Sequence, residues 1–292
     1  MLKIENKTLP GLYKSSNRAS LDAQSNYFFG LKSYLILLII AALISFLWPK
    51  DVIAAILSAV LFLITLFILI GLKYYKPDDR WYNGRAVAES VKTRSWRWAM
   101  RAEPYQDCSN VEIVSKQFIN DLKSILQQNR SLSESLPPEE GLEAPISNTM
   151  NEIRRLSTTE RLEIYKEQRI DDQAKWYSLK SIENKKKARN LFIASIILHS
   201  IAILMLLYRI KDPLMGLPIE VLATAAGAVL TWLQAKKHNE LISSYSLTAH
   251  EIVLIKGEAL SIRTEEELST FVLDSENAFS REHTQWTARK TD

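Results

Sequence analysis

Cysteine is almost missing from the 292 residues: Cys108 stands alone. That excludes an intrachain disulfide and any cysteine-based zinc cluster within one chain, and it fits a reducing, cytosol-facing setting. Histidine is scarce too, with four residues far apart in sequence. There is no glycine-rich phosphate loop, no H-E-x-x-H and no G-x-S-x-G, so no catalytic residues, resident metal, cofactor or enzymatic activity are expected. Charge of one sign is not in large excess: 37 Lys and Arg stand against 33 Asp and Glu, a formal net charge of +4. The basic residues gather beside apolar blocks rather than along one stripe, so direct nucleic-acid binding is not expected. Alternating apolar patterns are missing, which argues against a sheet. About thirty largely polar residues precede the first apolar run, and no short apolar core with a small-residue cleavage site is found there, so a secretory signal peptide is not expected.

What the chain does contain is apolar runs. Residues 31–48 are apolar except for Lys32, Ser33, Tyr34 and Ser45, and residues 52–72 hold no charge at all. Each is long enough to cross about 30 Å of hydrocarbon as a helix. Only Pro49, Lys50 and Asp51 separate them, a proline break that leaves room for nothing but a tight reversal. A weaker pair follows. Residues 191–208 are apolar apart from Ser195, His199 and Ser200, and residues 217–234 are alanine-rich with Glu220 near their start. The last run also fits a buried soluble helix. The expected fold class is an all-α membrane protein with two transmembrane helical hairpins, four spans, and long helices extending into the cytoplasm.

Lys14, Arg18 and Lys32 precede the first run, and Lys73, Lys76 and Arg80 follow the second. Lys185, Lys186, Lys187 and Arg189 precede the third, and Lys236 and Lys237 follow the fourth. The short connections carry only Lys50 in one hairpin and Arg209 and Lys211 in the other. The positive-inside rule then places both termini in the cytoplasm.

The polar stretches read as helices and one linker. Residues 73–105 are expected to continue as helix from the second span, with tryptophans interleaved among arginines. In residues 112–128, Val114, Phe118, Ile119, Leu122, Ile125 and Leu126 mark one helical face. Residues 129–148, with Pro137, Pro138, Gly141 and Pro145, read as a linker. Ser157 and Glu160, and again Thr264 and Glu267, have the S/T-x-x-E form of a capping box. Leu268, Phe271, Val272 and Ala278 form an apolar stripe behind the second box. Two units follow, 1–128 and 149–292, on either side of the linker.

The two units echo each other. Asp22-Ala23-Gln24-Ser25-Asn26-Tyr27-Phe28 stands before the first hairpin and Asp171-Asp172-Gln173-Ala174-Lys175-Trp176-Tyr177 before the second. Tyr82-Asn83 and His238-Asn239 follow the hairpins. The pattern is helix, two spans, helix, twice over. The stretch from Arg80-Trp81-Tyr82-Asn83-Gly84-Arg85-Ala86-Val87-Ala88-Glu89-Ser90-Val91-Lys92 to Ser95-Trp96-Arg97-Trp98-Ala99-Met100-Arg101-Ala102 resembles the SLATT family, two-transmembrane effector domains associated with SMODS nucleotidyltransferases and SLOG sensors, here as a tandem pair. The resemblance implies an oligomeric effector in the bacterial inner membrane, part of a conflict or antiviral defence system. It would perturb or permeabilise the membrane when an upstream sensor or nucleotide second messenger activates it. The implied partners are the lipid bilayer, further copies of the chain, and a nucleotidyltransferase- or SLOG-type signalling protein. The alternative is a non-conducting scaffold or sensor that anchors a cytoplasmic partner.

Two sets of residues are candidates for the action. Glu220, Thr224, Gly227, Thr231 and Gln234 recur at steps of four and three, which aligns a carboxylate, two hydroxyls and an amide on one helical stripe. With His199 of the third run, they line a pore or serve helix packing. Arg80, Trp81, Arg85, Glu89, Trp96 and Arg97 form a basic, aromatic set, read either as an anionic signal or partner site or as interface packing with an Arg85–Glu89 or Lys92–Glu89 ion pair.

Overall fold

Prolines and capping side chains punctuate the chain at the expected reversals. In the computed structural model, which describes residues 2–107, 110–138 and 143–288, α1 spans Gly11–Leu47. It ends two residues before Pro49, whose ring and missing N–H cannot continue a helix. Asp51 then accepts a hydrogen bond from the Ala54 amide at 2.9 Å and starts α2, Val52–Tyr75. The helix expected to run on from the second apolar run is broken once. Lys76 turns left-handed (φ 42°), and Pro77 opens α3, Pro77–Ala99, with Asp78 and Asp79 in its first turn, where acids complement the helix dipole.

After α3 come α4, Val111–Gln128, a 3-10 segment at Arg130–Ser135, and the short α5, Asn148–Arg154. The Ser157–Glu160 capping box opens α6, Thr158–Tyr165. A π turn at Lys166–Ile170 leads without a break into α7, Asp171–Lys211. The chain continues through α8, Ile219–Ala235, and α9, His238–Glu258. The last helix, α10, is Glu265–Ala288; it follows the reciprocal hydrogen bonds of Thr264 and Glu267. No strand is found among the described residues, so the chain is all-α as its periodicity predicts.

Two compact units emerge, and both draw on both halves of the sequence. The polar unit takes the described residues within Met1–Gln24, Asp78–Leu179 and Ser244–Asp292. Its core holds Trp96, Trp98, Tyr105, Phe118, Met150, Ile153, Tyr165 and Phe271. The expected faces pack here: Val114, Phe118, Leu122 and Ile125 are buried on α4, and Leu268, Phe271, Val272 and Ala278 on α10. Leu126, at the edge of its face, stays 39% exposed. Gly84 lets α3 approach α1 closely. A Cβ there would lie 3.1 Å from the Ser16 carbonyl oxygen and from the Ser20 amide, and the Ser20 hydroxyl donates to the Trp81 carbonyl at 2.9 Å. Within residues 129–148, Leu132 is buried in this core and Glu143 pairs with Lys14. Gly141 of that stretch, and Cys108, lie outside the described residues.

The apolar unit takes Ser25–Pro77 and Lys180–Ser243. Its helices bury small side chains and expose large ones. On α2 the buried residues are Ala54, Ser58 and Thr65, while Val52, Ile53 and Phe67 are each more than 60% exposed. Ser58 binds across to α1, 3.1 Å from the Ser45 hydroxyl and 3.3 Å from the Ala41 carbonyl. Small residues at a helix contact with bulky apolar groups outside are the inverse of a water-soluble protein. Three helical stretches, containing α1, α2 and α7, are long and apolar enough to cross a membrane. The fourth run forms α8, whose 17 residues measure about 25 Å.

Candidate functional site

The polar stripe of α8 lies on that helix's open side. Glu220, Gly227, Thr231 and Gln234 are exposed and Thr224 is half-buried, while Ile219 and Ala226 are the buried positions. Among the described residues, nothing beyond the adjoining residues and the helix's own backbone lies within 4 Å of where a Cβ on Gly227 would sit. The Thr224 hydroxyl donates to the Glu220 carbonyl at 2.8 Å, and the Glu220 carboxylate lies 3.6 Å from Arg209 at the end of α7. His199 does not join the stripe through any hydrogen bond among the described residues. Its Nδ1 lies 2.8 Å from the Ser195 carbonyl one turn back, so that nitrogen carries the proton.

The basic, aromatic set of α3 is divided by the fold. Trp96 is 1% exposed and packs edge-on against Tyr165, with ring centroids 5.6 Å apart. Arg97 donates to the Glu103 carbonyl at 2.6 Å. Arg80 is exposed, and Trp81 stacks on Tyr82 at 4.6 Å. Arg85 and Glu89 form the i,i+4 ion pair at 2.8 Å. Burial works against the Arg85 charge, but Glu89 and the phenols of Tyr13, Tyr177 and Tyr245 outweigh it and raise its pKa.

The same unit buries charges that sequence reading misses. Arg169 and Glu276 form two hydrogen bonds, Nε to Oε1 at 2.8 Å and Nη2 to Oε2 at 2.7 Å, with side chains 2% and 0% exposed. The Tyr165 hydroxyl donates to the same carboxylate at 3.0 Å, and the Arg169 guanidinium lies 4.9 Å from the Phe279 ring centroid. Lys92 sits in the field of this pair and of Arg85 and Glu89. Burial above all, then Arg169, holds its pKa below the ordinary lysine value. Three cations thus face two carboxylates. Arg169 and Glu276 each have charged neighbours in sequence and read as part of a solvated face, yet they pair across 107 positions, whereas Arg85, Glu89 and Lys92 share α3.

A second cluster closes the C-terminus of α3. Arg101 takes the left-handed conformation (φ 56°), while the Ala102 amide donates to the Arg97 carbonyl at 2.8 Å and the Arg101 amide to the Trp98 carbonyl at 3.3 Å. This is a Schellman cap with arginine at the position where glycine is usual. Arg154 adds a second donor to the Trp98 carbonyl and Arg161 donates to that of Met100, and Asp107 and Glu265 pair with them. Cations are favoured at that end of a helix dipole.

Residues 10–162 match the family described as SMODS and SLOG-associating 2TM effector domain 3, and residues 165–286 match SMODS and SLOG-associating 2TM effector domain 1. The chain belongs to the SLATT family. It is a tandem of two SLATT domains, as the Arg80–Ala102 stretch and the internal repeat imply, and it is a membrane protein. No curated protein and no solved structure matches it. The first SLATT domain ends between α5 and the π turn, so Arg161 belongs to the first domain and Arg169 and Glu276 to the second. Each spatial unit is therefore built from both domains. Among the described residues, no group of acidic, histidine or cysteine side chains has the arrangement of a metal site.

Proposed function

We propose that this SLATT tandem is an oligomeric, non-enzymatic effector of a bacterial conflict system. It inserts in the inner membrane by four spans with both termini cytoplasmic, and it permeabilises the bilayer when an upstream sensor or nucleotide signal reaches the polar unit. The observation that carries the reading is the α8 stripe. A carboxylate, two hydroxyls, a glycine and an amide share a face that is exposed at Glu220, Gly227, Thr231 and Gln234 among the described residues, on a helix that is otherwise apolar. Such a face is costly against lipid and is satisfied when copies assemble around water.

At about 25 Å, α8 spans by local thinning of the bilayer or by drawing on the residues that flank it. In the polar unit, the surplus of cations around Lys92 favours an anionic trigger or partner surface. Residues 129–148 are read as the connection between the units 1–128 and 149–292. The π turn that carries Arg169 runs without a break into α7, whose far end is the third apolar run.

The test is depolarisation. Expression with the triggering system should collapse the membrane potential reported by a voltage-sensitive dye. Replacing Glu220 and Thr224 together with leucine should abolish the leak while membrane insertion is unchanged. Conductance that survives the double substitution overturns the lining. A potential that stays intact while a partner is still recruited favours the scaffold reading.

A further inference from the structure

The border of the apolar unit collects cations at one point. Lys187 of α7 lies four residues before the third apolar run, and Lys236 lies directly after α8. The Lys236 ammonium sits 3.2 Å from the centroid of the Phe28 ring and 5.0 Å from that of Trp232, and these two rings meet edge-on at 5.7 Å. Burial and then the nearby Lys187 lower its pKa. His238, the first residue of α9, is 6% exposed. Burial first, then Lys187 and Lys236, lower the pKa of its imidazole.

The orientation of that imidazole is fixed by its neighbour. The Asn184 amide nitrogen donates to the Lys180 carbonyl at 2.7 Å, so its Oδ1 faces His238, and Nδ1 of the imidazole must donate to it at 2.6 Å. Nε2 is then the acceptor of the neutral ring, and it makes no hydrogen bond among the described residues. The carboxylate closest to these groups is Glu183, 4.0 Å from Lys187 and 2.9 Å from Lys180. Glu183 is thus the acid paired with these lysines, and Glu240 stands in the first turn of α9.

We infer that Lys187, Lys236 and His238 form a binding site for the phosphate of an anionic phospholipid headgroup. The two lysines and a protonated Nε2 supply its donors, and Phe28 and Trp232 form its apolar floor. The assignment rests on the four-span reading, which puts these residues at the headgroup level. A lipid is the occupant because the donors sit at the ends of the third and fourth apolar runs and the floor is aromatic, as residues at a membrane–water interface are. An anion arriving between the lysines reverses the field at His238 and favours the imidazolium.

The experiment uses the full chain in nanodiscs of phosphatidylcholine with or without phosphatidylglycerol. Lipid retained after detergent extraction is counted by native mass spectrometry, and His238 is titrated by NMR. Retention of phosphatidylglycerol over phosphatidylcholine should be roughly thirtyfold, about fivefold for each lysine. Lys187→Gln with Lys236→Gln should abolish the preference, and phosphatidylglycerol should move the His238 titration to higher pH. Equal retention of the two lipids, or an undiminished preference in the double variant, overturns the site. If inorganic phosphate in lipid-free detergent raises the His238 titration as far as phosphatidylglycerol does, the occupant is a soluble phosphate and the lipid assignment fails. Labelling of Leu214→Cys in a Cys108→Ser background, from outside the cell, separates this from topology. A labelled loop without lipid preference overturns the site alone, and an unlabelled loop with the preference intact overturns the outward placement of that loop alone.

Discussion

Glutamine in place of Glu276 removes one charge from a pair that the polar unit buries completely. The Arg169 guanidinium then keeps its charge, because arginine stays protonated in proteins, but it loses the partner at 2.7 and 2.8 Å. Two unit charges about 4 Å apart attract by roughly 4 kcal/mol at an effective dielectric constant of about 20. Breaking a buried pair on one side generally costs about 3–5 kcal/mol. At about 2–4 °C per kcal/mol for a unit of this size, Glu276→Gln should lower the melting temperature by roughly 6–20 °C. Intrinsic tryptophan fluorescence of the purified protein in detergent is a suitable readout, since Trp96 packs on Tyr165, and Tyr165 binds Glu276 directly. Arg169→Met with Glu276→Leu removes both charges and should recover most of the loss, because two desolvation penalties vanish with the attraction. A single variant that melts within about 2 °C of the parent refutes the reasoning. So does a double variant whose loss equals the sum of the two single losses, since independent residues add.

Two further outcomes test the polar unit and the α8 face. Burial, with the Glu89 charge behind it, pushes the Tyr13 phenol up to about 12. Above pH 10 the unfolded chain gives up this proton while the folded protein keeps it, so the stability is present below pH 10 and lost as pH rises towards 12. The loss from this group is about 3 kcal/mol, it is read by chemical unfolding across that range, and Tyr13→Phe should lose less than the parent by that amount, the buried phenols of Tyr105 and Tyr165 contributing to the loss in both; an equal loss in that variant rejects it. Gly84→Ala places a methyl 3.1 Å from α1 backbone atoms and should destabilise by about 1–3 kcal/mol. Gly227→Ala, in open space, should be neutral or stabilise by about 0.5–1 kcal/mol. Equal melting temperatures for the two variants would mean that α3 and α1 do not approach closely.

Period and punctuation by themselves determined the helices. The alternation of apolar positions at three and four residues marks the buried faces of α4 and α10. Pro49 with Asp51, and the boxes at Ser157 and Thr264, place three helix boundaries, because capping is a contact between residues three apart. The uncharged length of residues 52–72 fixes a spanning helix for the same local reason. The break at Lys76 is less legible, since lysine is an unusual residue for a left-handed position.

What only the tertiary structure decided is where the charges go. Arg154, Arg161 and Arg169 sit among Arg155, Glu160, Glu163 and Lys166 in sequence, Glu276 stands two residues after Asp274, and their surroundings have the composition of a solvated surface. They are buried because their acceptors, the carbonyls at the end of α3 and a carboxylate on α10, arrive from distant segments, and no local window contains both partners. The same holds for the division into units. Sequence divides the chain end to end into two repeats, whereas packing sorts it by polarity, because each apolar helix and each polar helix buries its face against its own kind from both SLATT domains. The stripe on α8 was legible from spacing alone, since it needs only one helix. That most of it stays exposed among the described residues is decided by the fold, and it is this openness that turns a pattern into a candidate assembly face.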